Sequence, residues 1–141
     1  MDQIAAEVLS VLMRWMHIAS MALLIGGAAF LRLIVRPGIA QSPEPEVLVS
    51  RFAAGFKPLM FAAVVGIVGS GIFNLFARPG HTKFYHMLFG IKMLLAAHVF
   101  AAGFLMVKSG TSAENFFRRA TGVFISGIAI ILISAYLRRI F

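Results

Sequence analysis

The chain has 141 residues, one domain by length, with 60% hydrophobic side chains, 13% charged ones and a mean hydropathy of +0.92. The apolar residues gather in four long runs, which excludes an ordinary soluble core and points to an integral membrane protein. The net charge of +8 lacks a long basic face, so nucleic acid is not an expected partner, and the absence of cysteine leaves histidine, methionine and oxygen as the only ligands for a metal or cofactor.

The first run, residues 8–35, is long enough to cross a bilayer, for which about 20 apolar residues suffice. The preceding MDQIAAEVLS carries neither a cationic start nor a small-residue cleavage site, so this run reads as a retained helix. Arg14, Trp15 and His17 lie near its beginning, Gly26-Gly27 at its middle and Arg32 near its end. Arg14 and Trp15 fit an interfacial anchor. The sequence Arg36-Pro37-Gly38 is expected to stop the helix, and Ser42-Pro43-Glu44-Pro45-Glu46 to form an exposed loop. Val47 to Lys57 then reads as a short amphipathic lead-in lying at the interface.

The second helix is predicted over 58–77, beginning at Pro58, with Gly66, Gly69, Ser70 and Gly71 on a small-residue face. Gly66 and Ser70 have the spacing that lets helices approach closely in lipid. Asn74 lies near its far end, before Arg78-Pro79-Gly80-His81. The third helix, 84–107, carries His86, Lys92 and His98. A polar turn, KSGTSAEN, leads into the fourth helix, 116–137, where Gly122 and Ser126 offer another close-packing pair. Short connections favour antiparallel neighbours, so the expected fold is an all-α, up-down-up-down four-helix transmembrane bundle.

Both termini then share one side of the membrane. The opposite side carries seven Lys/Arg residues (Arg32, Arg36, Arg51, Lys57, Lys108, Arg118, Arg119) against five, counting Arg14, on the terminal side. The positive-inside rule places the termini outside the cytoplasm.

At about 1.5 Å per residue, His17 lies roughly 10–14 Å from the terminal side, near the level of Lys92 and Asn74. These three form the expected polar constellation, with His81, His86 and Tyr136 at its mouth. His98 is about 9 Å deeper than Lys92, and His86, Lys92 and His98 point in directions about 120° apart. Plainer readings stand beside this one: Lys92 snorkelling to the interface, His98 hydrogen-bonded to a neighbouring helix, and most methionines acting as filler. His17 is an ionisable side chain at bilayer depth on a small-residue face, and a neutral imidazole there can bind haem iron or copper. Met13 and Met21, one turn to either side, would suit a soft metal. Ligation of one iron by both His17 and His98 is open, although their offset in depth favours His17 alone.

These stretches resemble a known family. MRWMHIASMALLIGGAAFLRLIV looks like the first helix of the copper resistance protein D-like membrane domain, with an early histidine, a Gly-Gly centre and an arginine near the exit. RFAAGFKPLMFAAVVGIVGSGIFNLF and FYHMLFGIKMLL are similar to that domain's second and third helices. The resemblance implies a bacterial-type inner-membrane protein holding haem b or copper through His17, with Lys92 meeting a haem propionate and Asn74 supplying a hydrogen bond. A weaker similarity to the HemJ-type protoporphyrinogen oxidase matches His17 and Lys92 and implies a haem enzyme. That family's further histidine would fall near Gly103, and its tyrosine- and glutamate-bearing segments have no counterpart. A third reading is an accessory subunit of a larger membrane complex, or a homo-oligomer, in which the polar residues only pack helices.

Overall fold

The computed structural model describes residues 2–76 and 83–140. The segment Arg78-Pro79-Gly80-His81 lies outside them. Four helices are long and apolar enough to cross a membrane: α1 (Gln3–Ile39), α2 (Pro45–Phe76), α3 (Lys83–Met106) and α4 (Ala113–Ile140). No strand occurs among the described residues.

Three helices are longer than the sequence reading. Arg36-Pro37-Gly38 does not stop α1; the helix widens into a π turn over Leu31–Val35 and continues through Arg36–Ile39. Proline has no N–H and its ring crowds the carbonyl four residues back, and a wider turn accommodates both. The Arg36 N–H accordingly reaches back five residues to the Leu31 carbonyl. The extra residue also maintains the buried stripe. Leu24, Ala28, Leu31 and Val35 are spaced four, three and four apart, and the next buried side chain is Ile39, one position later than a three-residue step.

The segment before Pro58 is likewise part of a continuous helix rather than a separate lead-in. α2 runs unbroken from Pro45, with Pro58 inside it and exposed. Val49, Ala53, Phe56, Met60, Ala63, Ile67 and Ser70 are buried at alternating steps of four and three, a 3.5-residue repeat that passes Pro58 on the opposite side. α4 starts at Ala113 rather than near Phe116: the Ser112 hydroxyl accepts from the Asn115 N–H at 3.3 Å, and Glu46 Oε2 accepts from the Ala113 N–H at 2.9 Å. Both satisfy donors that a helix start leaves unpaired. Gly110, at φ 76°, makes the turn between α3 and α4.

Packing is uneven. α1 lies chiefly against α2, α3 against α4, and α1 against α4; α2 and α3, though consecutive, touch little. Ser20 meets Gly66 while Gly27 meets Phe56, so numbering rises along α1 as it falls along α2. Ile25 packs onto Gly127, so that glycine, rather than the Gly122–Ser126 pair, receives α1. Met60 packs onto Gly103, and the Phe61 and Phe104 rings lie 5.1 Å apart. The core is one-sided: no residue of α1 before Leu24, or of α3 before Val99, is buried.

A Cβ added to Gly66 would collide with the Ser20 side chain, whereas one added to Gly69 meets nothing. Gly66→Val is therefore expected to destabilise the protein by about 1–3 kcal/mol through overpacking. Gly69→Ala should be neutral or stabilise by up to about 1 kcal/mol through helix propensity. Melting in detergent measures both, and equal responses would contradict the tight crossing.

Candidate functional site

The crossing of α1 on α2 places His17 directly against Ser70. His17 Nδ1 lies 2.8 Å from Ser70 Oγ, and the Nδ1–Cε1 edge of the ring faces Gly71. Ser70 is fully buried, and its hydroxyl donates to the Gly66 carbonyl one turn back, with the Ile67 carbonyl at 3.3 Å. A hydroxyl has one proton to give. With that proton directed to backbone carbonyls, Ser70 Oγ can only accept from the ring, so Nδ1 carries the histidine's proton.

Nε2 is then the nitrogen with a lone pair. It has no hydrogen-bond partner among the described residues and is not sealed inside the protein. A histidine whose Nδ1–H is fixed by a neighbour is the arrangement that presents Nε2 to a metal or a proton.

The other sequence-derived candidates divide into two sets. Lys92 is half-buried, with its charge within electrostatic reach of the His17 ring. The chain's five carboxylates are Asp2, Glu7, Glu44, Glu46 and Glu114, so none lies on α3 to pair with it. Asn74 is half-buried one turn beyond Ser70, on the same face of α2. His17, Ser70, Asn74 and Lys92 thus belong to the loosely packed half of the molecule. His98 is exposed and turned elsewhere, with Nε2 over Gly122 of α4. The two imidazoles engage different helices. His86 is exposed and stands edge-on to Tyr85, and Tyr136 is exposed. Met13 and Met21 are half-buried, one turn to either side of His17.

Two interhelical contacts have no local signature in the sequence. Ser70 was read as a packing residue, and only the register of α1 on α2 reveals it as the partner of His17. Arg32 Nε donates to Thr121 Oγ1 at 2.7 Å, and Thr121 in turn donates to the Phe117 carbonyl at 2.9 Å. Nothing in the local sequence pairs residues 32 and 121.

Among the described residues no three His, Asp or Glu side chains converge as a metal cage. A cavity of about 590 Å³ lies away from this site, between α1 and α2 around Gly26, Gly27 and Phe56, with Arg51 its one charged residue. The chain matches no family model, no curated protein and no solved structure.

The hydrogen-bond logic predicts the tautomer. Nitrogen-15 NMR of the full chain is expected to find the His17 proton on Nδ1. Ser70→Ala should reduce that preference, and Ser70→Thr, which keeps the hydroxyl, should preserve it. A proton on Nε2 in the parent protein would contradict the assignment.

Proposed function

We propose that the chain is a multi-pass membrane protein that holds haem b through Nε2 of His17, for electron transfer or haem handling. The observation that carries this reading is one oriented imidazole with an available nitrogen, set where α2 and α3 touch little. A haem brings four nitrogen ligands of its own and needs only an axial donor from the protein, which suits a site with one histidine and no converging carboxylates. Ser70 would fix the ring, Lys92 would meet a propionate, and Asn74 would supply a hydrogen bond. When bound, the haem would supply one-electron chemistry.

Copper is the second reading, favoured by Met13 and Met21 flanking His17 at one-turn spacing. This site is the one implied by the resemblance to the copper resistance protein D-like domain. Protoporphyrinogen oxidation would require catalytic groups with no counterpart here, and an accessory subunit would use the same polar residues only for packing.

The absorption spectrum and metal content of the purified protein separate these readings. A Soret band is expected; copper without haem would favour the second reading, and neither would favour the accessory role. His17→Ala should remove the cofactor while the bundle stays folded, because the helices are held by apolar stripes and small residues. Ser70→Ala and Lys92→Met should weaken binding by about tenfold or more. His98→Phe should retain more cofactor than His17→Ala. Equal, complete loss from both histidine variants would overturn the single-histidine site.

The four helices would cross the bilayer up-down-up-down with both termini on the non-cytoplasmic side, in keeping with the seven-to-five Lys/Arg excess on the other side. A reporter active only in the cytoplasm, fused at Phe141, should be silent; activity there would reverse the orientation.

A further inference from the structure

We propose that a second site, between the last turn of α1 and the first turns of α4, binds the phosphate of an anionic phospholipid headgroup. It depends on the membrane reading and is independent of the cofactor.

The site is a cavity of about 340 Å³ lined by Arg36, Glu114, Phe117, Arg118 and Thr121. Two guanidiniums face one carboxylate, so the lining is net positive. Arg32 adds a third guanidinium at the edge: its Nε is spent on Thr121, and its Nη groups have no partner among the described residues. The Thr121 hydroxyl proton goes to the Phe117 carbonyl, so this threonine holds the arginine rather than the ligand. Arg118 gives one N–H to Asn115 Oδ1 at 2.7 Å and keeps its others. Phe117 is buried and forms an apolar floor.

Guanidinium forks match phosphate oxygens in pairs, which a chloride ion cannot offer, and a phosphate has oxygens enough to meet more than one guanidinium at once. The position selects the source of the phosphate. The cavity lies at the end of the first apolar span and the beginning of the fourth, the level at which headgroups meet a membrane protein. Arg119 and Lys108 share this end of the bundle by sequence and outnumber the nearby Glu46, whose carboxylate accepts from the Ala113 N–H, so the surrounding charge stays positive. Glu114 is poorly placed for a bare anion, yet it can accept the hydroxyls of a glycerol headgroup beside the phosphate. The chemistry of the lining therefore suits phosphatidylglycerol better than an inorganic ion.

The test is a melting titration of the full chain in neutral detergent with phosphatidylglycerol, phosphatidylcholine or inorganic phosphate. Phosphatidylglycerol is expected to raise the melting temperature saturably, and phosphatidylcholine is not. The double variant Arg36→Gln/Arg118→Gln should need at least about tenfold more phosphatidylglycerol for the same rise. Arg138→Gln/Arg139→Gln removes equal charge at the other end of α4 and should respond like the parent. Both altered arginines at the site are exposed, and melting without lipid verifies that the variant folds. Equal responses of the two double variants would show diffuse attraction and overturn the site. So would a matching response to phosphatidylcholine. Stabilisation by inorganic phosphate that competes with the lipid would overturn the lipid assignment in favour of a free-phosphate site.

Discussion

The close approach of α1 to α2 at Ser20 and Gly66 sets the geometry of the rest of the molecule. Glycine at that point lets a serine side chain occupy the space a Cβ would take. If the helices lie in lipid, no hydrophobic force draws them together, and contact distance and interhelical hydrogen bonds decide the pairing. Both effects meet here. One turn beyond Gly66 stands Ser70, and less than one turn before Ser20 stands His17, so the tight crossing brings hydroxyl and imidazole to 2.8 Å. Ser70 then does two jobs with one oxygen. It returns its proton to its own helix and receives one from the neighbouring helix.

Much of this was legible in the sequence. Four apolar runs gave four helices, and Gly66 and Ser70 were recognisable as a close-packing pair. His17 stood out because an ionisable side chain in such a run is costly unless it has a purpose. The helix boundaries were less legible, because proline was read as punctuation at Pro37 and Pro58. In both places a buried stripe continues past it. At Pro58 the alternating four-and-three spacing of Val49 to Ser70 was present in the sequence and outweighs one missing donor on the exposed side. At Pro37 the buried steps run four and four, and the π turn keeps Ile39 in line with Leu31 and Val35. The partners of His17 and Arg32 lie 53 and 89 residues away, so they depend on helix register, which periodicity does not determine.

The two ends of the bundle use cations differently. At one, Lys92 is half-buried on a helix without a carboxylate. At the other, Arg32 is tied to a threonine, and Arg119 donates to the Leu105 carbonyl at 2.5 Å, near the end of α3. There the arginines satisfy backbone and hydroxyl acceptors and secure the helix ends. The histidines divide in the same way, with His17 turned onto α2 and His98 onto α4.

The one-sided core also has a mechanical meaning. Where Leu24, Met60, Val99 and Val123 lie buried, the helices form a close-packed base; beyond it the α3 arm that carries Lys92 has no buried residue, while the α1 arm that carries His17 is braced against α2 at Ser20 and Ser70. The α3 arm is not fully preorganised. Any group clasped between the two arms must spend part of its binding energy on bringing it to rest, which lowers affinity relative to a rigid pocket.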